Sequence, residues 1–419
     1  MSDADARYAI YYVPPPASPL ARLGARLLGR DVESGAEVPF LPLEGVPPEE
    51  QRERTQSARH YGFHATLKPP FRLNEVTTAA KLEAALRAFA AATPPVTLPG
   101  LALQPLGGFL ALQPSARSTA LEALAADCVM AFDRFRAPAP DSELAERRAA
   151  GLTPAQDALL RRWGYPYVLR EFRFHMTLTD RLAAADRARW RQALAHHVDR
   201  LPAGPVTIGL ALVWQPDRAS PFRVVRHVAL SGTARRRQGH LFLVVGPSGA
   251  GKDSLIAAAR DALPADAYQF PTRVITRDGD VGGEVHRAVN PDDFAALRAA
   301  GRFCLSWDAH GLSYGVPAEE VLPMLAAGRH VVVNVSRGVV EAARRRFAPA
   351  LSVLNVTAPA ALLAQRIAAR GRESSAEIAA RIARPAKPLH GRDVIEFVND
   401  APLADACAGF VALLQAWSP

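Results

Sequence analysis

The stretch Gly246-Pro247-Ser248-Gly249-Ala250-Gly251-Lys252-Asp253-Ser254 directly follows an apolar run, Leu241-Phe242-Leu243-Val244-Val245. The run predicts a buried parallel strand, and the sequence after Lys252 reads as a helix. Between them, the spacing Gly-x4-Gly-Lys predicts a loop wrapped around a phosphate. Gly246, Gly249 and Gly251 let the backbone turn tightly and point its N–H groups inward. The helix N-terminus adds partial positive charge and Lys252 a full one. A glycine-rich turn without function is the competing reading; the strand before and the helix after weigh against it. Asp253 departs from the usual pattern, which places Ser or Thr there to hold Mg²⁺. Either Ser254 or a water-bridged Asp253 then helps place the metal, or the carboxylate ligates it directly.

From residue 240 onward strands alternate with helices, the pattern of an α/β domain with a parallel sheet. A second buried strand at 330–335 (HVVVNV) ends at Ser336-Arg337, and polar residues at the C-terminal end of a parallel strand lie on the ligand face. Arg273 and Arg277 suit a phosphate on an acceptor, Glu284 and His286 its hydroxyls; for the arginines a solvated face is the alternative. The run Phe303–Pro317, with Asp308 and Tyr314, mixes aromatics, polar groups and glycine without period, as a site wall does. Residues 362–370 read as a helix with Arg366 and Arg370 on one face, followed by Gly371-Arg372. These arginines fit a lid closing over a transferring phosphate, or an ordinary surface helix. Asn399-Asp400 ends a strand and could border an adenine.

The set GPSGAGKDS, TRVITR, LSWDAHGLSYGVP, VNVSRG, RGRES and VND resembles the guanylate-kinase-like branch of P-loop kinases. Within it, residues 240–416 are similar to the ribose 1,5-bisphosphate phosphokinases of the carbon–phosphorus lyase pathway. That family carries Lys-Asp-Ser in its P-loop, so Asp253 supports the resemblance. It implies ATP and Mg²⁺, and phosphorylation of ribose 1,5-bisphosphate to 5-phosphoribosyl 1-diphosphate. An anionic acceptor needs no general base. Positioning and charge neutralisation by Lys252, Mg²⁺ and the lid arginines then carry the reaction.

The first half holds a short echo: Tyr61-Gly-Phe-His64-Ala-Thr66-Leu-Lys68 against Phe172-Arg173-Phe-His175-Met-Thr177-Leu-Thr179. Read as strands of period two, both put Phe, Ala or Met and Leu on a core face. Both put His and Thr on the other, with Lys68 and Thr179 respectively. Two imidazoles and two hydroxyls in one cleft suit metal-free opening of a cyclic phosphodiester. One neutral His takes a proton from water and the other, protonated, gives one to the leaving alkoxide. Thr66, Thr177 and Lys68 bind phosphate oxygens, and Arg173 adds charge. Taken singly, either His reads as an ordinary satisfied histidine; the pair carries the signal. Residues 5–232 resemble the 2H phosphoesterase superfamily, in particular its phosphonate-associated branch. The resemblance implies a two-lobed α+β fold.

The boundaries expected are 1–233, a linker at 234–239 and 240–419. The linker falls in the basic, non-periodic Ser231–Gly239. The chain of 419 residues has a net charge of +9, nearly all from arginine, with only four lysines. This balance points to anionic ligands, here small phosphorylated ribose compounds. The arginines are scattered, with no basic block interleaved with aromatics, so a nucleic-acid surface is the weaker reading. No apolar run reaches the length of a membrane span, no signal pattern opens the chain, and the three cysteines are far apart, which together predict a cytoplasmic protein. In the carbon–phosphorus lyase pathway a 5-phosphoribosyl 1,2-cyclic phosphate must be opened before such a kinase can act, so the fusion predicts that the first half performs the opening. Two alternatives remain for that half: 2′,3′-cyclic RNA or nucleotide ends as substrate, or a non-catalytic docking module.

Overall fold

The computed structural model describes residues 5–149, 151–233, 239–277, 286–309, 311–348, 350–368, 388–391 and 393–416. The chain divides into two compact units: Met1–Pro140 with Trp163–Arg235, and Asp141–Arg162 with Arg236–Ser418. Residues 234–238, most of the expected linker, lie outside the described residues.

The first unit is α+β. Strand Arg7–Tyr12, aromatic and apolar, lies antiparallel between Ala65–Phe71 and Leu210–Gln215, with Arg223–Val228 at the far edge. A three-stranded antiparallel sheet joins Leu101–Leu106, Phe109–Pro114 and Met176–Thr177. A third, small sheet pairs Val96–Leu98 with Val206–Ile208. Helix Thr119–Phe132 is buried around much of its circumference, whereas another helix packs through a narrow apolar stripe. Helix Ala79–Ala92 is capped by the Thr78 hydroxyl and buries Leu82, Leu86 and Ala90, one residue per turn. One core holds Tyr8, Ile10 and Tyr12 together with Phe174, Met176 and Leu178, so it reaches both larger sheets.

The two echo segments are less regular than their sequence suggests. Residues Gln56–Tyr61 are helical, Gly62 turns the chain at φ +80°, and the strand begins only at Ala65. In the second segment a 3-10 turn occupies Leu169–Glu171, and only Met176 and Thr177 join a ladder. The alternation survives in both as far as Leu67 and Leu178. Phe63, Ala65 and Leu67 are buried, as are Phe172, Phe174, Met176 and Leu178, while His64, Thr66, His175 and Thr177 are half-buried.

The second unit is α/β. Its parallel five-stranded sheet runs in the order Tyr268–Gln269, His330–Asn334, Leu241–Val245, Leu351–Thr357, Val394–Val398. The strand before the glycine loop is central and buried throughout, which explains its unbroken apolar sequence. A second, mixed sheet orders Arg287–Ala288, Val274–Ile275, Leu312–Pro317 and Phe303–Ala309. Among the described residues no helix is long and apolar enough to cross a membrane.

Candidate active sites

The glycine loop leaves the central strand at Val245 and enters helix Lys252–Ala262. Two of its glycines are required by geometry. A Cβ at Gly246 (φ +151°) would lie 2.1 Å from the Val356 carbonyl oxygen, and one at Gly251 (φ +86°) 2.4 Å from Asn399 Nδ2. Neither position has room or backbone freedom for a side chain. The loop is braced from outside: Asn399 Nδ2 donates to the Ala250 carbonyl (2.8 Å), and Arg366 Nη1 donates to the Asn399 carbonyl (3.1 Å). Lys252 Nζ donates to the Gly246 and Pro247 carbonyls at 2.9 and 2.8 Å, folding its ammonium back over the loop.

Asp253 and Ser254, both exposed, open the helix. Asp253 Oδ1 accepts from Asn334 Nδ2 at 2.9 Å. A held carboxylate beside a hydroxyl is a hard-oxygen donor set that suits Mg²⁺, which takes few protein ligands when phosphates supply the rest. Asp253 and Asn334 line a pocket of about 150 Å³ with Arg260, Phe270 and Arg273. Arg273 is buried, its guanidinium 5.6 Å from the centre of the Tyr314 ring, which stacks on Trp307.

In the first unit, each echo histidine binds the carbonyl two residues before it. His64 Nδ1 lies 2.8 Å from Gly62 O, and His175 Nδ1 lies 2.7 Å from Arg173 O. A carbonyl only accepts, so each Nδ1 carries its proton and each Nε2 of the neutral ring is the basic nitrogen. His64 Nε2 faces the Thr66 hydroxyl at 3.1 Å. Tyr11 stacks on the His64 ring, centroids 3.8 Å apart, because strand register sets Tyr11 opposite Thr66. Burial pushes the His64 imidazole down to about 4, the Gly62 carbonyl opposes this, and His175 lowers it further. Burial also lowers His175, against its bond to Arg173 O. The two segments lie near each other: His64 is close enough for charge on His175 to oppose its protonation, and Tyr12 packs on Phe174 (5.9 Å).

A family model described as a protein of unknown function (DUF1045) matches residues 66–223. Ribose 1,5-bisphosphate phosphokinase PhnN of Laribacter hongkongensis is 41% identical over 415 residues, covering 98% of this chain and 97% of that protein. The chain belongs to the PhnN family. A Janthinobacterium PhnN is 38% identical over 414 residues, 96% of this chain and 91% of its own. PhnN of Acidiphilium cryptum is 51% identical over 179 residues, which make up 93% of that protein but 42% of this chain. Members of the PhnN family therefore occur both at this length and in a much shorter form.

Some residues singled out in this PhnN-family sequence are turned away from the expected sites, and others are held in bonds of their own. Lys68 does not face the cleft. Thr66 pairs with Tyr11 but Lys68 with Ile10, so two residues advance on one strand for one on the other, and this bulge turns Lys68 into the core. There it is 1% exposed and bonds Val129 O (3.1 Å) and Asp133 Oδ1 (3.3 Å). Thr179 is likewise buried, its hydroxyl accepting from the Leu110 N–H. Arg173 is on the His175 side, but its guanidinium bonds the Arg170 and Phe172 carbonyls. Asp308 is exposed, and alternation along its hairpin puts it on the face opposite Tyr314. Its carboxylate is held by Arg298 (2.8 and 3.2 Å) and Ser313 (2.6 Å). Arg337 bonds Asn355, which in turn bonds Glu396 on the neighbouring strand. His286 Nε2 donates to the Arg277 carbonyl. Glu284, Arg370 and Arg372 lie outside the described residues. Tyr11 and Asn334 were not legible as site residues: the first reads as strand core, the second as a polar strand end.

Proposed function

We propose that the second unit transfers the γ-phosphoryl group of ATP to the 1-phosphate of ribose 1,5-bisphosphate, giving 5-phosphoribosyl 1-diphosphate. The observation that carries this is the glycine loop with Lys252 folded over it, in a chain of the PhnN family. Inward N–H groups, the helix N-terminus and Lys252 bind the triphosphate. Asp253 and Ser254 would hold Mg²⁺, which when bound offsets charge on the phosphate oxygens. Arg273, with Tyr314 beside it, and Arg277 take the acceptor, and Arg366 contributes the lid's charge. The acceptor oxygen is already anionic, so no base is required.

For the first unit we propose hydrolysis of 5-phosphoribosyl 1,2-cyclic phosphate to ribose 1,5-bisphosphate without a metal. His64, neutral at pH 7, takes a proton from water at Nε2 while that water's oxygen attacks phosphorus. The bond from phosphorus to the 2-oxygen breaks, and His175, protonated, gives its Nε2 proton to that oxygen. Thr66 and Thr177 donate to the non-bridging oxygens. The support is the pair of half-buried histidines with matching Nδ1 anchors. The direction of opening matters, because only the 1-phosphate product is the kinase's substrate.

A phosphorus NMR time course with the cyclic phosphate, before and after ATP and Mg²⁺, tests both steps. The expected record is loss of the cyclic signal to ribose 1,5-bisphosphate, then a diphosphate. An unchanged cyclic signal alongside conversion of added ribose 1,5-bisphosphate would leave the kinase reading and remove the hydrolase one.

A further inference from the structure

The P-loop of this chain has a carboxylate where the motif has a hydroxyl, and the carboxylate is not left to itself. Asp253 is the second residue of helix Lys252–Ala262. Asn334 ends the neighbouring strand His330–Asn334, in register with Val244, one residue before the end of the strand that feeds the loop. This register brings the Asn334 carboxamide to Asp253 Oδ1 at 2.9 Å. Among the described residues Asp253 Oδ2 has no partner, and the pair lines the pocket that also holds Arg260 and Arg273.

We propose that Asn334 is a positioning residue for Asp253, fixing its carboxylate as the loop's oxygen donor toward the Mg²⁺ that accompanies ATP. The inference rests on the kinase reading. The residue types follow from the geometry. An apolar side chain at 334 would leave the exposed carboxylate free among its rotamers, so its ordering would have to occur at each binding event. A carboxylate at 334 would set two like charges within about 3 Å and disfavour ionisation of both. An amide holds one oxygen without adding charge, and its strand is anchored beside the loop. Partners that orient a metal-binding group are commonly worth about 10–100-fold in metal affinity.

The test is calorimetric titration of the full chain with a non-hydrolysable ATP analogue, with Mg²⁺ and with chelator. Wild type is expected to bind more tightly with Mg²⁺. Asn334→Leu and Asn334→Ser should lose about tenfold or more of that enhancement, with metal-free binding unchanged. Asp253→Asn and Asn334→Asp should each lose it, and the exchange variant Asp253→Asn/Asn334→Asp, with one carboxylate and one amide again, should regain most of it. Thermal melts of all variants separate this from unfolding, and the exchange variant keeps the proposal exposed even where a single variant folds poorly. Full Mg²⁺ enhancement in both Asn334→Leu and Asn334→Ser, or an exchange variant no better than its parents, would overturn the proposal while leaving the kinase reading intact. No nucleotide binding by wild type under either condition would overturn the kinase reading, and this inference with it.

Discussion

His64 and His175 differ from ordinary surface histidines in the same direction, and that fixes a pH prediction. His64 is held near 4 by burial, so its basic form persists from high pH down to about that value. His175 is also lowered, so its protonated form, required of the acid, is lost as pH rises through a value below the usual ~6.5. The kcat/KM of ring opening, which reports the free enzyme, is expected to be highest on the acid side of that ordinary value and to fall toward neutrality. NMR titration of the two imidazoles supplies the independent check; a His64 resonance titrating near 6.5 contradicts the burial argument. Lys68 gives a contrasting prediction. Its parity with His64 and Thr66 reads as phosphate binding, but the bulge after Thr66 places it against Asp133, which Arg136 also holds at 2.7 Å. Lys68→Met is therefore expected to lower stability by about 3 kcal/mol, the low end for losing one partner of a buried pair because Arg136 remains. Thr66→Ala should instead reduce ring opening with little change in the denaturation midpoint. Period-two alternation is legible in sequence, whereas a one-residue register slip is set by the partner strand and is not.

Elements explain why the glycine loop was the most legible feature and its supports the least. An apolar strand, three glycines and a helix start are local signals, and each is found where the sequence predicts it. The bracing is not local: Asn399 closes strand Val394–Val398 nearly 150 residues further on, donates to Ala250 O, and accepts from Arg366 on helix Ala360–Ala368. Those bonds link the loop, the outermost strand and the helix expected to carry the lid. In the sequence Asn399-Asp400 reads as a candidate border to an adenine; the structure adds a grip of Asn399 on the loop backbone. Replacing Asn399 with Ala leaves the Ala250 carbonyl without this bond. Such a loss costs about 1–3 kcal/mol, so ATP binding is expected to weaken roughly 5- to 150-fold, and direct titration of the nucleotide measures it. Retained affinity in Asn399→Ala would mean that the loop holds its shape unaided. The shortness of strand Met176–Thr177 is similar in kind, because the apolar residues around it read as a longer strand and only pairing to Phe109–Pro114 shows where the ladder stops.

At the scale of the whole molecule, the second unit carries a built-in sensitivity to acid. Two histidines that charge cannot reach without cost sit at the start of its parallel sheet. His240, 1% exposed, precedes the central strand, meets the Ser352 hydroxyl at 3.1 Å, and is pushed well down by burial, with Arg162 and His330 adding to the effect. His330 opens the adjacent strand, packs on Tyr268 and Phe242, and is lowered to about 4 by burial. When the unit unfolds, both imidazoles return to about 6.5, so between that pH and 4 the unfolded chain binds protons that the folded unit does not. Its stability is therefore complete above about 6.5 and falls as pH drops toward 4, with His330 alone accounting for roughly 3 kcal/mol at the lower limit. The glycine loop hangs from the same strand that His240 precedes, so nucleotide binding and acid stability share a foundation. Denaturant titrations from pH 7 to 4 should show the decline, and His330→Phe, which keeps an aromatic ring between Tyr268 and Phe242, should flatten it. An equal slope in wild type and His330→Phe would assign the acid sensitivity to other groups.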